Sequence, residues 1–233
     1  MPYGLLFLDA DGTLFDYDAA ESEALVSTLA PLLSEEDLAR APAIYRRINQ
    51  GIWLELERRE ITQAELAVER FRRLFRELGN EAGDAGELSR RYLDELALRS
   101  RLLDGAEETV RGLAARHRLV LVTNGLARVQ RPRVERSAVA SCFAALVISD
   151  EVGIAKPDPA ILAYACSLVG ERAGVRERRT MLMIGDSLKA DVAAGAAFGI
   201  DTCWFNPSRQ PSGGWPQPTY EISRLEELHR IAG

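Results

Sequence analysis

The chain has 233 residues, of which 47% are hydrophobic and 27% charged, and its formal net charge is −6. This length is sufficient to bury one large core or two smaller ones, and the composition is that of an ordinary globular protein. The negative charge argues against an extended nucleic-acid partner, because proteins that bind phosphate backbones need clustered positive charge. A small anionic substrate needs only a local cationic pocket.

The cysteines and the apolar segments indicate a cellular location. Cys142, Cys166 and Cys203 are scattered and odd in number, so we expect free thiols in a reducing cytoplasm. The first apolar run stops at Asp9, which is too short for a signal peptide, and no segment approaches the length of a membrane span. We therefore expect a cytoplasmic protein without a membrane partner, either a monomer or a small homo-oligomer.

The first sixteen residues contain the most informative segment. Four apolar residues at 5–8 predict a short strand buried on both faces of a parallel sheet. Asp9 and Asp11 follow directly, and in extended backbone two residues with this spacing point to the same side. Two carboxylates held so close require a cation or a shifted pKa. An ordinary Asp-Gly turn is the alternative interpretation of the same residues.

The chain between residues 17 and 101 has the hydrophobic period of helices. Four helices are predicted there, at 19–33, 42–59, 62–79 and 87–98. Thr62 followed by Glu65 has the pattern of a capping box at the start of the third helix. The sequence therefore predicts an all-helical domain inserted after the first strand.

Strands alternate with helices from residue 102 onward. The predicted strands are 119–122, 145–149, 180–184 and 201–205, and a helix at 222–231 is expected to close the chain. This alternation predicts a parallel sheet with right-handed crossovers. The expected architecture is an α/β core formed by residues 1–16 and 102–233, interrupted by a helical domain at 17–101.

Polar residues follow the ends of several predicted strands. Besides Asp9 and Asp11, they are Thr123 with Asn124, Lys156, and Asp186 with Asp191. Because the carboxyl ends of parallel strands meet at one edge of a sheet, these side chains can converge. Carboxylates beside a lysine and a hydroxyl are typical of Mg²⁺ next to a phosphate. Zinc is disfavoured because the sequence has no cluster of histidines and cysteines.

These residues resemble the four ordered motifs of the haloacid dehalogenase-like hydrolases. The motifs are Asp9-Ala10-Asp11-Gly12-Thr13, Thr123-Asn124-Gly125, Lys156-Pro157, and Gly185-Asp186-Ser187 through Asp191. The resemblance covers essentially the whole chain. It implies a Rossmann-like α/β core and, for the helical insert, the α-helical cap of the family's first class (C1-type).

The resemblance also implies a role for each motif residue. Asp9 would be the nucleophile that forms an aspartyl phosphate, and Asp11 the general acid that then becomes the general base. Asp9, Asp186 and the backbone carbonyl of Asp11 would hold Mg²⁺. Asp191 would position a metal-bound water or Lys156. Thr123, Asn124, Gly125 and Lys156 would bind the transferred phosphoryl group.

The presence of Asp11 separates several possible reactions. Dehalogenating members of the family usually lack this second aspartate, so Asp11 favours phosphate-ester hydrolysis over 2-haloacid dehalogenation. A phosphomutase would keep Asp11. A receiver-type signalling module shares the set of Asp, Thr and Lys but has neither the acid Asp11 nor a helical cap.

Further segments resemble the YjjG/YfnB subfamily, which contains pyrimidine nucleotidases. They are residues 15–18, 51–55, 147–157 and 202–206, together with Gln130 and Arg133. This resemblance implies Mg²⁺-dependent hydrolysis of nucleoside 5'-monophosphates, with a broad-specificity, phosphoglycolate or sugar-phosphate phosphatase as the alternative. Pro132 is expected to interrupt the helix that follows the second motif.

Four aromatic residues are candidates to contact the base or sugar of such a substrate. They are Phe15, Tyr17, Tyr45 and Trp53. Packing is the alternative role for each, because large aromatic side chains mostly serve burial. The family layout implies hinges of the cap near residues 16–18 and 100–103.

Overall fold

The computed structural model describes residues 3–58, 60–80, 84–214 and 216–233. Their contacts divide the chain into two compact units, one formed by the described residues of Met1–Tyr17 and Ser100–Gly233, the other by those of Asp18–Arg99.

The strands are β1 Leu5–Leu8, β2 Arg118–Thr123, β3 Phe143–Ile148, β4 Met181–Gly185, β5 Asp201–Phe205 and β6 Tyr220–Ile222. The α-helices are α1 Tyr17–Leu29, α2 Glu35–Glu57, α3 Gln63–Leu78, α4 Ala85–Ala97, α5 Ala106–Ala114, α6 Ala127–Arg136, α7 Ser149–Val152, α8 Ala160–Leu168, α9 Val175–Arg178, α10 Ala193–Phe198 and α11 Leu228–Ala232. A π-helical turn, Leu188–Val192, precedes α10, and 3₁₀ turns form at Ala140–Cys142 and Leu225–Glu227.

The larger unit is built on a parallel six-stranded sheet in the order β3-β2-β1-β4-β5-β6. Leu8 of β1 aligns with Leu121 of β2 on one side and with Ile184 of β4 on the other. The carboxyl ends of β1, β2 and β4 therefore lie side by side. The prediction of an α/β core with a parallel sheet is confirmed.

Strand β1 is buried on both faces. Leu6 and Leu8 pack into one hydrophobic cluster, and Leu5 and Phe7 pack into a second. Successive side chains of a strand point to opposite faces, so one four-residue segment contributes to both cores. Such burial explains why the segment has no polar position until Asp9.

The C-terminal segment differs from its prediction. The expected helix at 222–231 is wrong at its start, because Tyr220–Ile222 pairs in parallel with Cys203–Phe205 as the edge strand β6. The Asn206 N–H also donates to the Ile222 carbonyl at 2.7 Å. Pairing with β6 satisfies backbone groups on the edge of β5, and this tertiary contact overrides the local helical pattern.

Two prolines lie within helices. Helix α2 begins at Glu35, before Pro42, because the Ser34 side chain accepts the Asp37 N–H at 3.2 Å and caps the helix. The predicted end of this helix at Arg59 lies outside the described residues. The expectation that Pro132 interrupts its helix is wrong, since α6 continues through it to Arg136.

The helical unit has its own aromatic core. The rings of Tyr45, Phe71 and Tyr92 lie 5.3–5.6 Å apart, and the Arg70 guanidinium is 4.8 Å from the centre of the Tyr92 ring. Tyr45 is fully buried there, so its side chain serves packing rather than ligand contact. Within the ranges described, the structure has no helix of sufficient length and apolarity to cross a membrane.

Helix α3 begins and ends as its sequence predicts. The Thr62 hydroxyl accepts the Glu65 N–H at 3.2 Å, and the Glu65 carboxylate accepts the Thr62 N–H at 2.8 Å. Gly79 ends the helix in the left-handed conformation, with φ of 68°. The capping box thus satisfies two backbone donors that the first turn would leave without partners.

The substitution Thr62→Ala is expected to lower the free energy of unfolding by about 1 kcal/mol, because it removes this cap. Thr62→Ser keeps the hydroxyl and is the matched control, expected to stay near the wild type. Urea unfolding followed by far-UV circular dichroism measures both variants. Equal stability of Thr62→Ala and Thr62→Ser would show that the cap contributes nothing.

Candidate active site

Asp9 is the first residue beyond β1 and is almost completely buried. Its N–H donates to the Ile184 carbonyl at 2.9 Å, which extends the pairing of β1 with β4 by one residue. The Lys156 ammonium lies 2.5 Å from its Oδ1. The strand ladder and this ion pair together fix where the carboxylate stands.

Lys156 is buried, and its ammonium group lies among three oxygen atoms. The ammonium group donates to Asp9 Oδ1 at 2.5 Å and to the Val122 carbonyl at 2.7 Å, and it lies 2.7 Å from Asp191 Oδ1. The ammonium group therefore makes two hydrogen bonds and one further ion pair. Burial by itself lowers the pKa of Lys156, but the carboxylates of Asp191 and Asp9 outweigh it and raise the pKa above its ordinary value.

The side chain of Asn124 fixes the loop that carries Lys156. Its Nδ2 donates to the Lys156 carbonyl, and its Oδ1 accepts the Lys156 N–H, each at 2.8 Å. The neighbouring Thr123 is buried, and its hydroxyl accepts the Gly125 N–H at 3.3 Å. The structure thus brings the second and third motifs together beside Asp9.

Thr13 joins the first motif to the fourth. Its hydroxyl oxygen accepts the Asp186 N–H at 3.0 Å and lies 3.4 Å from Asp9 Oδ2 and 3.3 Å from Asp186 Oδ1. Gly12 has φ of +78°, and a Cβ there would lie 2.6 Å from Asp186 Oδ2. Both residues belong to the first motif, and the sequence alone predicts no role for either.

The side chains of Trp204 and Asp191 also bond to the loop after β4. The Trp204 indole N–H donates to the Asp186 carbonyl at 2.8 Å. Asp191 accepts the Ser187 N–H at 2.9 Å through Oδ2, while its Oδ1 faces Lys156. Trp204 was not predicted as part of the site. Its position on β5, next to β4, is what brings it there.

Three carboxylates surround Lys156. Asp9, Asp186 and Asp191 each offer an oxygen, and these oxygens lie within 4.8 Å of one another. Burial raises the pKa of Asp9 well above its ordinary value, although Lys156 opposes this, and Asp191 and Asp186 add to the increase. Partial burial and the Asp191 carboxylate raise the pKa of Asp186 to about 6. The raised pKa values of Asp9 and Asp186 show that the ionised carboxylates are costly here without a further cation.

This donor set fits a hard divalent cation. If all three carboxylates are ionised, they and one ammonium group carry a net charge of about −2, which a divalent ion would balance. The donors are all oxygens, as Mg²⁺ prefers. Both oxygens of Asp191 are engaged by Lys156 and Ser187, whereas Asp186 is the member that solvent reaches. Asp9 and Asp186 are thus the carboxylates best able to hold the ion.

The carboxyl group of Asp11 faces a different set of partners. Its Oδ1 accepts Nη1 of Arg133 at 2.6 Å, and its Oδ2 accepts Nε2 of Gln130. Both donors belong to α6 and are buried. In the sequence, Gln130 and Arg133 stand out only by their resemblance to the subfamily and by their spacing of three residues on a predicted helix.

The candidates for substrate contact are distributed over both units. Phe15 is 1% exposed in the core of the sheet unit, with its ring 5.0 Å from the Arg133 guanidinium, so its side chain serves packing. Tyr17 is half-buried at the start of α1. Trp53 is half-buried on α2, within the helical unit.

Comparison with known proteins gives relatives along the full chain. The pyrimidine 5'-nucleotidase PynA of Streptococcus pneumoniae is 36% identical, covering 98% of this chain and 94% of that protein. The pyrimidine 5'-nucleotidase YjjG of Escherichia coli is 30% identical, covering 99% and 98%. The magnesium-bound crystal structure of YfnB from Bacillus subtilis is 34% identical and superposes with a TM-score of 0.87 over all of both chains.

A family model also matches most of the chain. The model is that of the haloacid dehalogenase-like hydrolases, and the match extends over residues 3–199. These residues include all four motifs whose side chains meet at the carboxyl ends of β1, β2 and β4. By its sequence motifs, its fold and its relatives, the chain belongs to the haloacid dehalogenase-like hydrolase family.

Proposed function

We propose that this protein is a Mg²⁺-dependent phosphomonoesterase that acts on nucleoside 5'-monophosphates through an aspartyl phosphate. The proposal rests on one observation: the neighbouring carboxylates of Asp9 and Asp11 bind different partners. Asp9 is held by Lys156, whereas Asp11 is held by α6. One group can therefore serve as nucleophile while the other handles protons.

In the first step, an oxygen of Asp9 attacks the phosphorus of the substrate. A bond forms between this oxygen and phosphorus, and the bond between phosphorus and the ester oxygen breaks. Asp11 gives its proton to the leaving oxygen, so the product departs as an alcohol rather than an alkoxide. Lys156, 2.5 Å from Asp9, contributes positive charge beside the phosphoryl oxygens.

In the second step, Asp11 is ionised and takes a proton from a water molecule. The oxygen of this water attacks phosphorus, the bond to Asp9 breaks, and inorganic phosphate leaves. Asp11 again carries the proton required for the next turnover. Thr123 and the backbone N–H groups near Asn124 and Gly125 are proposed to bind the phosphoryl oxygens during both steps.

Mg²⁺ would be held by the carboxylates of Asp9 and Asp186 and by the backbone carbonyl of Asp11. When bound, it neutralises the crowded carboxylates and the negative charge of the phosphoryl group. Asp191 is proposed to act through Lys156, which it contacts at 2.7 Å. The crystal structure of YfnB, which is 34% identical to this chain, is bound to magnesium, and this supports the proposal of a magnesium cofactor.

The substrate class is inferred from the relatives. Two proteins that match nearly the full chain, PynA and YjjG, carry the name pyrimidine 5'-nucleotidase. The helical unit is proposed to act as the cap that selects the leaving group, with Tyr17 and Trp53 as contact candidates. We propose a cytoplasmic enzyme that uses small phosphorylated substrates rather than nucleic-acid polymers.

Release of inorganic phosphate from a substrate panel tests the proposal. The panel contains pyrimidine and purine nucleoside 5'-monophosphates, sugar phosphates, phosphoglycolate and a 2-haloacid, each with Mg²⁺ or with excess EDTA. We expect the highest kcat/KM on pyrimidine nucleoside 5'-monophosphates and a loss of turnover in EDTA that added Mg²⁺ restores. Full activity in EDTA would contradict the metal assignment, and halide release would contradict the reaction class.

The substitution Asp9→Asn is expected to lower kcat by more than about 10³-fold, because an amide is not a nucleophile. Asp104→Asn removes an exposed carboxylate outside the site and is the matched control, with unchanged activity. Steady-state kinetics on uridine 5'-monophosphate measures both, and circular dichroism checks their folding. An active Asp9→Asn variant would remove Asp9 as the nucleophile.

The substitution Trp53→Ala is expected to raise KM for uridine 5'-monophosphate severalfold while leaving KM for p-nitrophenyl phosphate nearly unchanged, because the small ester has no base to contact. Leu54→Ala, at an exposed neighbour on the same helix, is the control and should leave both values unchanged. Equal increases for the two substrates would assign Trp53 to packing of the helical unit.

A further inference from the structure

Helix α6 presents two buried polar side chains to Asp11. Gln130 and Arg133 are three residues apart, which places them on the same face of the helix. Their exposed fractions are 1% and 0%. Each donates to a different oxygen of the Asp11 carboxyl group: Arg133 to Oδ1 at 2.6 Å and Gln130 to Oδ2.

A buried arginine requires such a partner. Removing a guanidinium group from water is costly unless it is paired and hydrogen-bonded. Arg133 meets this condition through Asp11, and its guanidinium also lies 5.0 Å from the centre of the Phe15 ring, as in a cation–π contact. The packed ring and the helix fix the guanidinium plane, so Arg133 is a rigid donor for Asp11.

Gly125 provides the space that Gln130 needs. A Cβ atom at this position would overlap Cγ and Nε2 of the Gln130 side chain. The backbone of Gly125 lies outside the left-handed region, so its conformation does not require glycine. The close approach of Gln130 gives a physical reason for the glycine at this place in the second motif.

We propose that Gln130 and Arg133 are positioning residues that hold the Asp11 carboxyl group in place for proton transfer to the leaving oxygen, with Gly125 leaving room for Gln130. This inference rests on the proposed function of Asp11. One donor on each carboxyl oxygen restricts rotation of the group, which fixes the direction in which its proton can be given. Neither residue needs to touch the substrate.

A pair of matched esters separates positioning from a structural role. 4-Nitrobenzyl phosphate and 4-nitrophenyl phosphate differ by one methylene group, but the benzyl alkoxide needs a proton to leave and the nitrophenolate does not. The ratio kcat/KM reports the steps up to release of the alcohol. Misplacement of Asp11 should therefore lower kcat/KM for the benzyl ester and have little effect for the phenyl ester.

We expect Arg133→Met to lower kcat/KM at least about tenfold on the benzyl ester and less than about threefold on the phenyl ester. Methionine keeps the apolar volume of the side chain but leaves Asp11 without its ion-pair partner, so the variant is expected to be less stable than the wild type. Gln130→Met is the second variant, with the same expectation. Arg131→Met, which removes an exposed arginine paired with Glu151, is the control and should change neither ester.

Gly125→Ala tests the space for Gln130 independently. Alone, it should reproduce the selective loss on the benzyl ester, because it displaces Gln130. In a protein that already carries Gln130→Ala, Gly125→Ala should lower kcat/KM for the benzyl ester by less than about a further twofold, because the side chain that it would overlap is no longer there. If Gly125→Ala lowers kcat/KM for the benzyl ester by the same factor with and without Gln130→Ala, Gly125 has a role other than leaving room for Gln130.

The outcomes distinguish the two proposals. If the wild-type protein hydrolyses neither these esters nor nucleoside 5'-monophosphates, the proposed function fails. If it hydrolyses both and the Arg133→Met and Gln130→Met variants lose the same factor on each, the positioning role is wrong and the proposed function stands. Thermal unfolding of every variant identifies a loss of activity that comes from misfolding. If Arg133→Met or Gln130→Met misfolds, the comparison of Gly125→Ala with the double variant Gly125→Ala/Gln130→Ala tests the positioning role instead.

Discussion

The buried ammonium group of Lys156 is the interaction on which the rest of the site depends. Its side chain is 2% exposed and lies between the carboxylates of Asp9 and Asp191. A charge so far from water is stable only when it is paired and hydrogen-bonded, and the Val122 carbonyl supplies the third oxygen. One side chain thereby links the ends of β1 and β2 with the turn after β4. Because the ionised carboxylates of Asp9 and Asp186 are costly here without a further cation, the same arrangement favours a divalent ion.

The loops around this ion pair are held by side chains that bond to the backbone of other loops. Asn124 bonds to the backbone of Lys156, Thr13 accepts the N–H of Asp186, and Trp204 donates to the Asp186 carbonyl. These bonds fix the charged groups before a substrate arrives. A site with its dipoles and charges already oriented stabilises developing charge without reorganising during the reaction.

The two aspartates of the first motif belong to separate networks. Asp9 is bound to Lys156 at the end of the sheet, whereas Asp11 is bound to Gln130 and Arg133 on α6. Carboxylates two residues apart would otherwise share one environment, and different partners are what allows them different roles. Helix α6 thus contacts Asp11 as directly as Lys156 contacts Asp9, although its residues belong to none of the four motifs.

The alternation of strands and helices and the motif residues at the strand ends could be predicted from the sequence, because both depend on local patterns: apolar runs, their lengths and the polar residues that end them. Strand β6, the burial of Phe15 and the partners of Asp11 could not be predicted in this way and follow from the packing of distant segments. Gln130 and Arg133 stand 119 and 122 residues from Asp11 in the chain. No local pattern specifies which distant side chain meets a carboxylate, because that contact exists only when the helix has packed against the sheet.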